Sequence, residues 1–561
     1  MRRLNKLRSD KKKFGLVLSF SIIFIGIIPL LILTYFPELK YSYIIEPLAL
    51  ESEDGVYISA FKYTPIGEKS HGGVVVGHSF LGNKVNMQPL SLELVKRGFT
   101  VISIDFRSHG ASGGFFFRSK LLNDMLVAVE YIENNLHYVT EIGLVGHSLG
   151  AEIALILART YPNRINATVA IGGLTPNVTG ISNLLLANGR FDPGTTEENI
   201  IDAIKSYTML ENVEIGELYY GDFNGGNNIK AYNSPFSEHY LTIVDSAILY
   251  QTIQWFEQAF NGEMATDIFI TASILQIFSY ISIFGVIMLN SILVVYLGNY
   301  FFKRKKNDLN KEKLKNRDEF SIKKLIAAYS ILVVIIQLAA FYSLSEISSD
   351  VIPISTVSII LSLVIGVSIG AIVVYNFLLL CWEDKYYIKN FFSRIKLKLS
   401  PNSGRSVLFG GLMALIVILS IAAVWNWSVQ NTLPTFSQIG IIILIIFLSY
   451  PFFLIKEFYF RDIQERLNVS NRFNEYYFMV GIGIFMDNFI ITGIILIGKI
   501  NLAYLPESAL YLFVWVIFSI IQNIAVTWVY INGRNILGST MFLSIFYAWI
   551  SVVFLPSYGF L

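Results

Sequence analysis

The sequence predicts an α/β domain with a mostly parallel sheet, joined to an all-α transmembrane domain. Hydrophobic residues make up 54% of the 561 residues and charged residues only 15%, whereas a soluble chain carries about 25% charge. Long uncharged runs lie at the start and in the second half of the chain. Between them, residues 37–266 alternate short β-branched runs with amphipathic runs, which is typical of strands alternating with helices. A wholly soluble or disordered protein is therefore excluded.

The first apolar run is long enough to cross a bilayer. Phe14 to Phe36 holds no charge over 23 residues, which as a helix span about 35 Å, against a bilayer core of roughly 30 Å. The run follows the basic sequence MRRLNKLRSDKKK. It is longer than the core of a cleaved signal peptide and lacks a small-residue cleavage site. We therefore expect residues 1–36 to be a cytoplasmic basic tail and an uncleaved anchor.

Residues 267–561 predict a polytopic transmembrane domain with about eight further spans. These are expected near residues 275–302, 324–346, 354–382, 406–428, 436–455, 476–498, 509–531 and 536–556. Lys and Arg concentrate in cytoplasmic loops. With the N-terminus inside, the inward loops hold 21 Lys or Arg residues and the outward loops only Lys499. This asymmetry predicts a multi-pass protein of the cell membrane whose α/β domain, residues 37–266, lies outside the cytoplasm.

Charge and cysteine content narrow the classes of partner. The net charge is +2, and residues 37–266 hold 14 basic and 25 acidic residues, so we expect no nucleic-acid partner. The single cysteine, Cys381, excludes an intramolecular disulfide and a cysteine-based zinc cluster. The sequence shows no converging set of three or four metal ligands. We expect no metal and no cofactor, and the oligomeric state stays open.

A possible nucleophile lies at the end of the fifth predicted strand, Glu141–Gly146. There Gly146-His147-Ser148-Leu149-Gly150 is followed by the helical run AEIALILART. This is G-x-S-x-G between a strand and a helix, a turn so tight that its flanking positions lack bulk and its serine hydroxyl is raised above the sheet. Over about residues 45–260 the chain resembles the α/β-hydrolase family. The resemblance implies an α/β-hydrolase sheet with helices on both faces and Ser148 as the nucleophile.

The same resemblance implies the chain order nucleophile, acid, histidine. A serine hydroxyl is a poor nucleophile until an imidazole takes its proton. Of the six histidines only His239 follows Ser148. It lies between the strand-like Ile229–Asn233 and the helical Asp245–Phe260, the place of the base in the family. His239 is therefore the expected base.

Two aspartates are candidates for the acid that orients the imidazole. Asp192 follows the predicted strand Asn183–Asn188, where the family places its acid. Its distance of 47 residues from His239 is longer than is usual in the family. The additional segment contains the alternative acid, Asp222.

The resemblance also implies an oxyanion hole of two backbone amides, each worth about 3–4 kcal/mol in such sites. One would be Leu149, directly after the nucleophile. The other would be Phe80 in the turn Gly77–Gly82, which looks like the family's His-Gly-x motif with Ser79 in place of the glycine. The segment Asp105–Gly110 resembles the family's D-x-R-x-x-G loop, which we expect to brace the top of the sheet.

Polar residues also fall inside the expected spans. Asp487-Asn488 and Gln522-Asn523 lie mid-span, where polar groups are costly and often functional. A transport or proton role for Asp487 and simple hydrogen bonding between helices both remain open. Lys456-Glu457 is expected at the inner interface, where the lysine can extend towards water.

Together these features predict a membrane-anchored serine hydrolase. It would cleave an ester, thioester or amide bond through Ser148, His239 and Asp192 without a cofactor, and its place at the bilayer favours lipid-like substrates. One alternative is a non-catalytic ligand-binding ectodomain on a transporter-like membrane module. Another is a membrane acyltransferase.

Overall fold

The computed structural model describes residues 2–35, 43–67, 72–263, 270–302, 365, 403–425, 432–466, 472–497 and 507–554. The expected spans 324–346 and 354–382 lie outside the described residues, apart from residue 365. The expected domain boundaries near residues 36 and 266 also fall outside them. These boundaries stay predictions.

Nine strands form one sheet in the α/β domain. They are β1 (Tyr43–Glu51), β2 (Tyr57–Pro65), β3 (Gly72–Gly77), β4 (Thr100–Ile104), β5 (Glu141–His147), β6 (Ala167–Ile171), β7 (Leu184–Gly189), β8 (Leu218–Tyr219) and β9 (Ile229–Ser234). Their order is β1-β2-β4-β3-β5-β6-β7-β9-β8. The six central strands β4, β3, β5, β6, β7 and β9 pair in parallel, whereas β1, β2 and β8 are antiparallel additions. The expected, mostly parallel sheet is confirmed.

Helices cover both faces of this sheet. They are α2 (Gln88–Val95), α3 (Leu121–Asn135), α4 (Leu149–Thr160), α5 (Glu197–Thr208) and α6 (Ser246–Asn261). Apolar side chains of α3, α4 and α5 join the core on one face, and those of α2 and α6 join the core on the other. Since both faces are covered, β3, β4, β6 and β7 are buried along their whole length.

Seven long helices are described outside the α/β domain. They are α1 (Arg2–Tyr35), α7 (Ala272–Phe302), α8 (Ser403–Trp425), α9 (Phe436–Arg466), α10 (Arg472–Ile497), α11 (Glu507–Gly533) and α12 (Ile536–Val553). Six of the described helices are long and apolar enough to cross a membrane, and α10 occupies the expected span 476–498. Helices α1 and α7 approach closely, because a Cβ at Gly26 would overlap Ser282 and one at Gly285 would overlap Ile23. Small residues permit such contacts between membrane helices.

Asp487 is hydrogen-bonded to two of the other polar residues expected mid-span, Gln522 and Asn523. Asp487 Oδ2 accepts hydrogen bonds from Lys456 Nζ at 2.6 Å, Gln522 Nε2 at 2.9 Å and Asn523 Nδ2 at 2.7 Å. The Lys456 side chain does not extend towards water as expected, because it is 7% exposed and bonded to Asp487 of α10. The candidate span in α9 ends at Phe458, so the lysine lies near the end of that span. Asp487 therefore joins α9, α10 and α11.

The α/β domain is bonded to the start of a membrane helix through a buried carboxylate. Glu93 of α2 accepts hydrogen bonds from Thr271 N at 2.8 Å, Thr271 Oγ1 at 2.7 Å and Ala272 N at 3.1 Å. These amides open α7, where backbone donors lack partners within the helix and negative charge is favoured. Lys96 lies 3.2 Å from the same carboxylate. Helix α7 thus begins on the surface of the α/β domain.

Replacing Glu93 with alanine should destabilise the protein, because it leaves the buried donors at the start of α7 without an acceptor. We expect a loss of about 1–3 kcal/mol, measured as a lower melting temperature of the full chain in detergent. Glu211→Ala removes an exposed carboxylate and is the matched control. Equal melting temperatures for the two variants would contradict this role for Glu93.

Candidate active site

Ser148 occupies a sharp turn between β5 and α4. Its backbone has φ 54° and ψ −113°, a strained conformation for a residue with a side chain. The Ser148 amide donates to the Ile171 carbonyl at 2.8 Å, which ties the turn to β6. A Cβ at Gly146 would overlap Gly150, and one at Gly150 would overlap the Gly77 carbonyl. Only glycine fits these two positions, and the serine is left half-buried at the carboxyl end of the strand.

The structure brings three of the predicted residues into one hydrogen-bonded relay. His239 Nε2 lies 3.0 Å from Ser148 Oγ, and His239 Nδ1 lies 2.7 Å from Asp192 Oδ2. The Asp192 side chain is fully buried and that of His239 is 18% exposed. If Nδ1 carries the proton and donates to Asp192, Nε2 is free to accept the serine proton. This is the geometry that an activated serine nucleophile requires.

Asp192 is held in place by the turn that follows β7. Its amide donates to the Gly189 carbonyl at 3.0 Å. Its Oδ1 accepts from Gly194 N at 2.7 Å and from Thr195 N at 3.2 Å. Both carboxylate oxygens are therefore bonded, and Oδ2 is directed at the imidazole.

The alternative acid lies elsewhere. Asp222 follows β8 at the edge of the sheet, and its Oδ1 accepts from Asn224 N at 3.1 Å. Among the described residues, the carboxylate bonded to His239 is that of Asp192. The geometry therefore favours Asp192 over Asp222 as the acid.

The backbone of His239 is fixed by a second histidine. His147 Nε2 donates to the His239 carbonyl at 2.9 Å, and Thr242 Oγ1 donates to the same carbonyl at 2.7 Å. Burial, with the nearby His239 as the second cause, lowers the pKa of His147 to about 3. His147 is therefore a neutral donor at neutral pH. Sequence reasoning missed this contact, because a bond to a backbone carbonyl 92 residues away leaves no pattern.

The loop after β3 lies against the first turn of α4. The carbonyl oxygens of Gly77 and His78 both lie where a Cβ on Gly150 would overlap them. Phe80 is half-buried, with its ring 5.3 Å from that of Phe116, and its carbonyl lies 2.7 Å from His109 Nε2. The Leu149 amide is the first of α4, where backbone donors lack an acceptor within the helix. The oxyanion roles of Phe80 and Leu149 stay predictions.

The segment Asp105–Gly110 braces the same loop. Asp105 Oδ1 accepts from Lys84 N at 2.6 Å, and its other oxygen accepts from the Lys84 ammonium. Arg107 is buried and forms ion pairs at 2.7 Å with both Asp124 and Asp54. These bonds tie the loop after β3 and the β1–β2 turn to the top of the sheet. None of these groups contacts the relay in the part of the chain that the structure describes.

The comparison with protein families agrees with this architecture. A sequence profile for the alpha/beta hydrolase fold matches residues 73–214, which include Ser148 and Asp192. This match, together with the strand order described above, gives residues 73–214 the alpha/beta hydrolase fold. No group of three metal-ligating side chains is found within the described ranges.

Individual relatives are similar over short stretches. A probable alcohol acetyltransferase of Cyberlindnera jadinii is 32% identical over 20% of this chain and 32% of its own length. A monoacylglycerol lipase of Mycolicibacterium smegmatis is 27% identical over 26% of this chain and 54% of its own. The chain thus spans about a third to a half of these curated relatives. A Pyrococcus furiosus esterase structure is 18% identical, with a TM-score of 0.31, and the match covers 40% of this chain and 95% of the esterase.

The buried histidines predict a loss of stability in acid. His147 has a folded pKa of about 3 and an unfolded pKa of about 6.5, so between these values the unfolded state binds a proton that the folded state excludes. The free energy of unfolding should therefore decrease by up to about 1.4 kcal/mol for each pH unit below 6.5. Burial shifts the pKa of His78 and His109 in the same direction.

The measurement is the melting temperature at pH 7, 6 and 5. His147→Gln keeps a side-chain N–H donor but removes one titrating group, so its melting temperature should depend less on pH than that of the unchanged protein. His137→Gln, at an exposed position, is the control and should leave the dependence unaltered. If the melting temperature of His147→Gln depends on pH as strongly as that of the unchanged protein, protonation of His147 is not a cause of the loss of stability in acid.

Proposed function

We propose that the α/β domain is a serine hydrolase that cleaves ester, thioester or amide bonds of acyl substrates. The observation that carries this proposal is the relay, with 3.0 Å between His239 Nε2 and Ser148 Oγ and 2.7 Å between His239 Nδ1 and Asp192 Oδ2. The strained backbone of Ser148 supports it, because such strain persists where the surrounding structure holds a residue for function.

The mechanism uses only residues of this chain. Ser148 Oγ attacks the acyl carbonyl as its proton moves to His239 Nε2, and Asp192 stays ionised and stabilises the resulting imidazolium. The amides of Leu149 and Phe80 bind the negative oxygen of the tetrahedral intermediate. His239 then gives its proton to the leaving alcohol, thiol or amine. Water then attacks the acyl-enzyme as its proton moves to the same imidazole, and when the bond to Ser148 Oγ breaks and the acid leaves, His239 returns the proton to Oγ.

The position of the domain favours lipid-like substrates. It follows the apolar helix α1 and is bonded to the start of α7. Both connections hold the site near a bilayer that supplies acyl lipids, on the non-cytoplasmic side of the cell membrane. The monoacylglycerol lipase named above is a relative consistent with this class.

An acyltransferase is the second candidate. The acyl-enzyme would be the same, but an alcohol would replace water in the second half of the reaction. The similarity to a probable alcohol acetyltransferase supports this alternative. Release of free acid would distinguish the hydrolase from formation of a new ester.

Fluorophosphonate labelling tests the nucleophile. The full chain should become covalently labelled, because the relay activates Ser148, and Ser148→Ala should take up no label. His239→Ala should slow labelling by about a hundredfold or more. The melting temperature of each variant serves as the folding control. A folded, unlabelled wild-type protein would eliminate the hydrolase and the acyltransferase together and leave the ligand-binding ectodomain.

The two candidate acids should differ sharply in turnover. Asp192→Asn keeps the size of the side chain but removes the charge that fixes the imidazole, so kcat should fall by up to about 10⁴-fold. Asp222→Asn is the matched control, and its kcat should stay within about twofold of the wild-type value. Turnover of a soluble acetyl ester measures both. A larger loss for Asp222→Asn would reverse the assignment.

A further inference from the structure

The edge of the active site carries four exposed apolar side chains, which we call the rim: Phe191, Phe236, Tyr240 and Leu241. Phe236 is 87% exposed and Phe191 is 64% exposed. The Phe191 amide donates to the Ser237 carbonyl at 3.1 Å, which joins the loop of the acid to the loop of the base. The Tyr240 ring lies 5.4 Å from the His239 ring. Exposed apolar clusters of this kind mark sites of association.

The rim continues directly into the contact with the membrane helices. Three residues after Leu241, the Val244 carbonyl accepts a hydrogen bond from Ser273 in the first turn of α7. Ser246 Oγ lies 2.6 Å from Ser273 Oγ. The segment that holds the base is therefore adjacent to the start of a membrane helix.

The opposite side of the site has a similar contact. Leu81, directly after Phe80, packs against the apolar core formed by α8, α9, α11 and α12. The loop after β3 and the loop of His239 thus both touch the membrane domain. Ser148 is bonded to His239 in one of these loops, and Gly150 in its turn packs against His78 of the other, so both loops that contact the apolar helices also contact the Ser148 turn.

We propose that the rim inserts into the adjacent leaflet of the bilayer and that the substrate is a membrane lipid whose acyl ester reaches Ser148 directly from that leaflet. This inference rests on the proposed hydrolase function. Aromatic rings are favoured at the boundary between headgroups and acyl chains, and apolar side chains gain free energy when they leave water. Arg190, exposed beside Phe191, is placed where lipid phosphates would lie.

Attraction to anionic lipids does not drive this docking. Residues 37–266 carry 25 acidic and 14 basic residues, so the domain as a whole repels an anionic surface. Docking by apolar burial predicts insertion into neutral phosphatidylcholine. The tests therefore use vesicles of phosphatidylcholine alone.

The first test compares a bilayer ester with a soluble ester. The full chain, reconstituted in phosphatidylcholine vesicles, is assayed with 4-methylumbelliferyl oleate in the bilayer and with 4-methylumbelliferyl acetate in solution. The double variant Phe191→Ser/Phe236→Ser should lower the ratio of oleate to acetate turnover by about tenfold or more. A change of this size corresponds to losing the free energy gained by burying one large apolar side chain.

The control is Met209→Ser. Met209 is 82% exposed but follows the far end of α5, about 18 Å along the helix from the active-site edge. This variant should keep the wild-type ratio. An unchanged ratio in the double variant, or an equal loss in Met209→Ser, would overturn the proposal.

The second test needs no turnover. In a Cys381→Ser background, Phe236→Cys and Met209→Cys are labelled with a nitrobenzoxadiazole fluorophore, and nitroxide-labelled phosphatidylcholine is added to the vesicles. The fluorophore at position 236 should be quenched and that at position 209 should not. Absence of quenching at position 236 overturns rim insertion even where Ser148 reacts with fluorophosphonate. Quenching at 236 in a protein that does not react would leave rim insertion standing and reject the hydrolase.

Discussion

The tight turn at Ser148 is the constraint on which the rest of the site depends. A positive φ at a serine costs about 1–3 kcal/mol and persists only where neighbouring structure enforces it. Here the enforcement is close backbone packing, with Gly150 against the Gly77 carbonyl and the Ser148 amide bonded to Ile171. The same contacts that strain the turn bring together the ends of β3, β5 and β6. The contacts that strain Ser148 are therefore the same contacts that assemble the site.

The imidazole of His239 is positioned through two independent sets of contacts. Asp192 orients the ring of His239, while His147 and Thr242 hold its carbonyl. Burial keeps His147 neutral at physiological pH, so it holds this carbonyl without placing a second positive charge beside His239. Two adjacent imidazoles thus have different roles. His147 is buried and donates to a backbone carbonyl, whereas His239 is partly exposed and faces the Ser148 hydroxyl.

The sequence predicts those parts of the site that depend on local pattern or chain order. The G-x-S-x-G turn and the single late histidine are of this kind, and the parallel sheet follows from the alternation of strands and helices. The choice between Asp192 and Asp222 stayed open because both lie in turns after apolar runs. Only the fold shows that α5 and the edge strand β8 occupy the additional length, which leaves Asp222 at the far edge of the sheet. The burial of the Lys456 side chain was missed for a related reason, since its partner Asp487 lies on another helix 31 residues away, and pairing between helices leaves no local pattern.

The long apolar helices do more than attach the α/β domain, because their contacts with it also fix its orientation. A flexible tether would keep the α/β domain near the apolar helices but would leave the orientation of the Ser148–His239–Asp192 relay undetermined. Glu93 at the start of α7 and Leu81 beside the predicted oxyanion loop instead set that direction. For such contacts to hold the site, the helices beneath must themselves be rigid. A buried charge in a helix bundle is strongly destabilising when it is left unpaired, and Asp487 is bonded to Lys456, Gln522 and Asn523 at once. That pairing supports a fixed platform more directly than a transport path, because a group that carries protons or ions must exchange its partners.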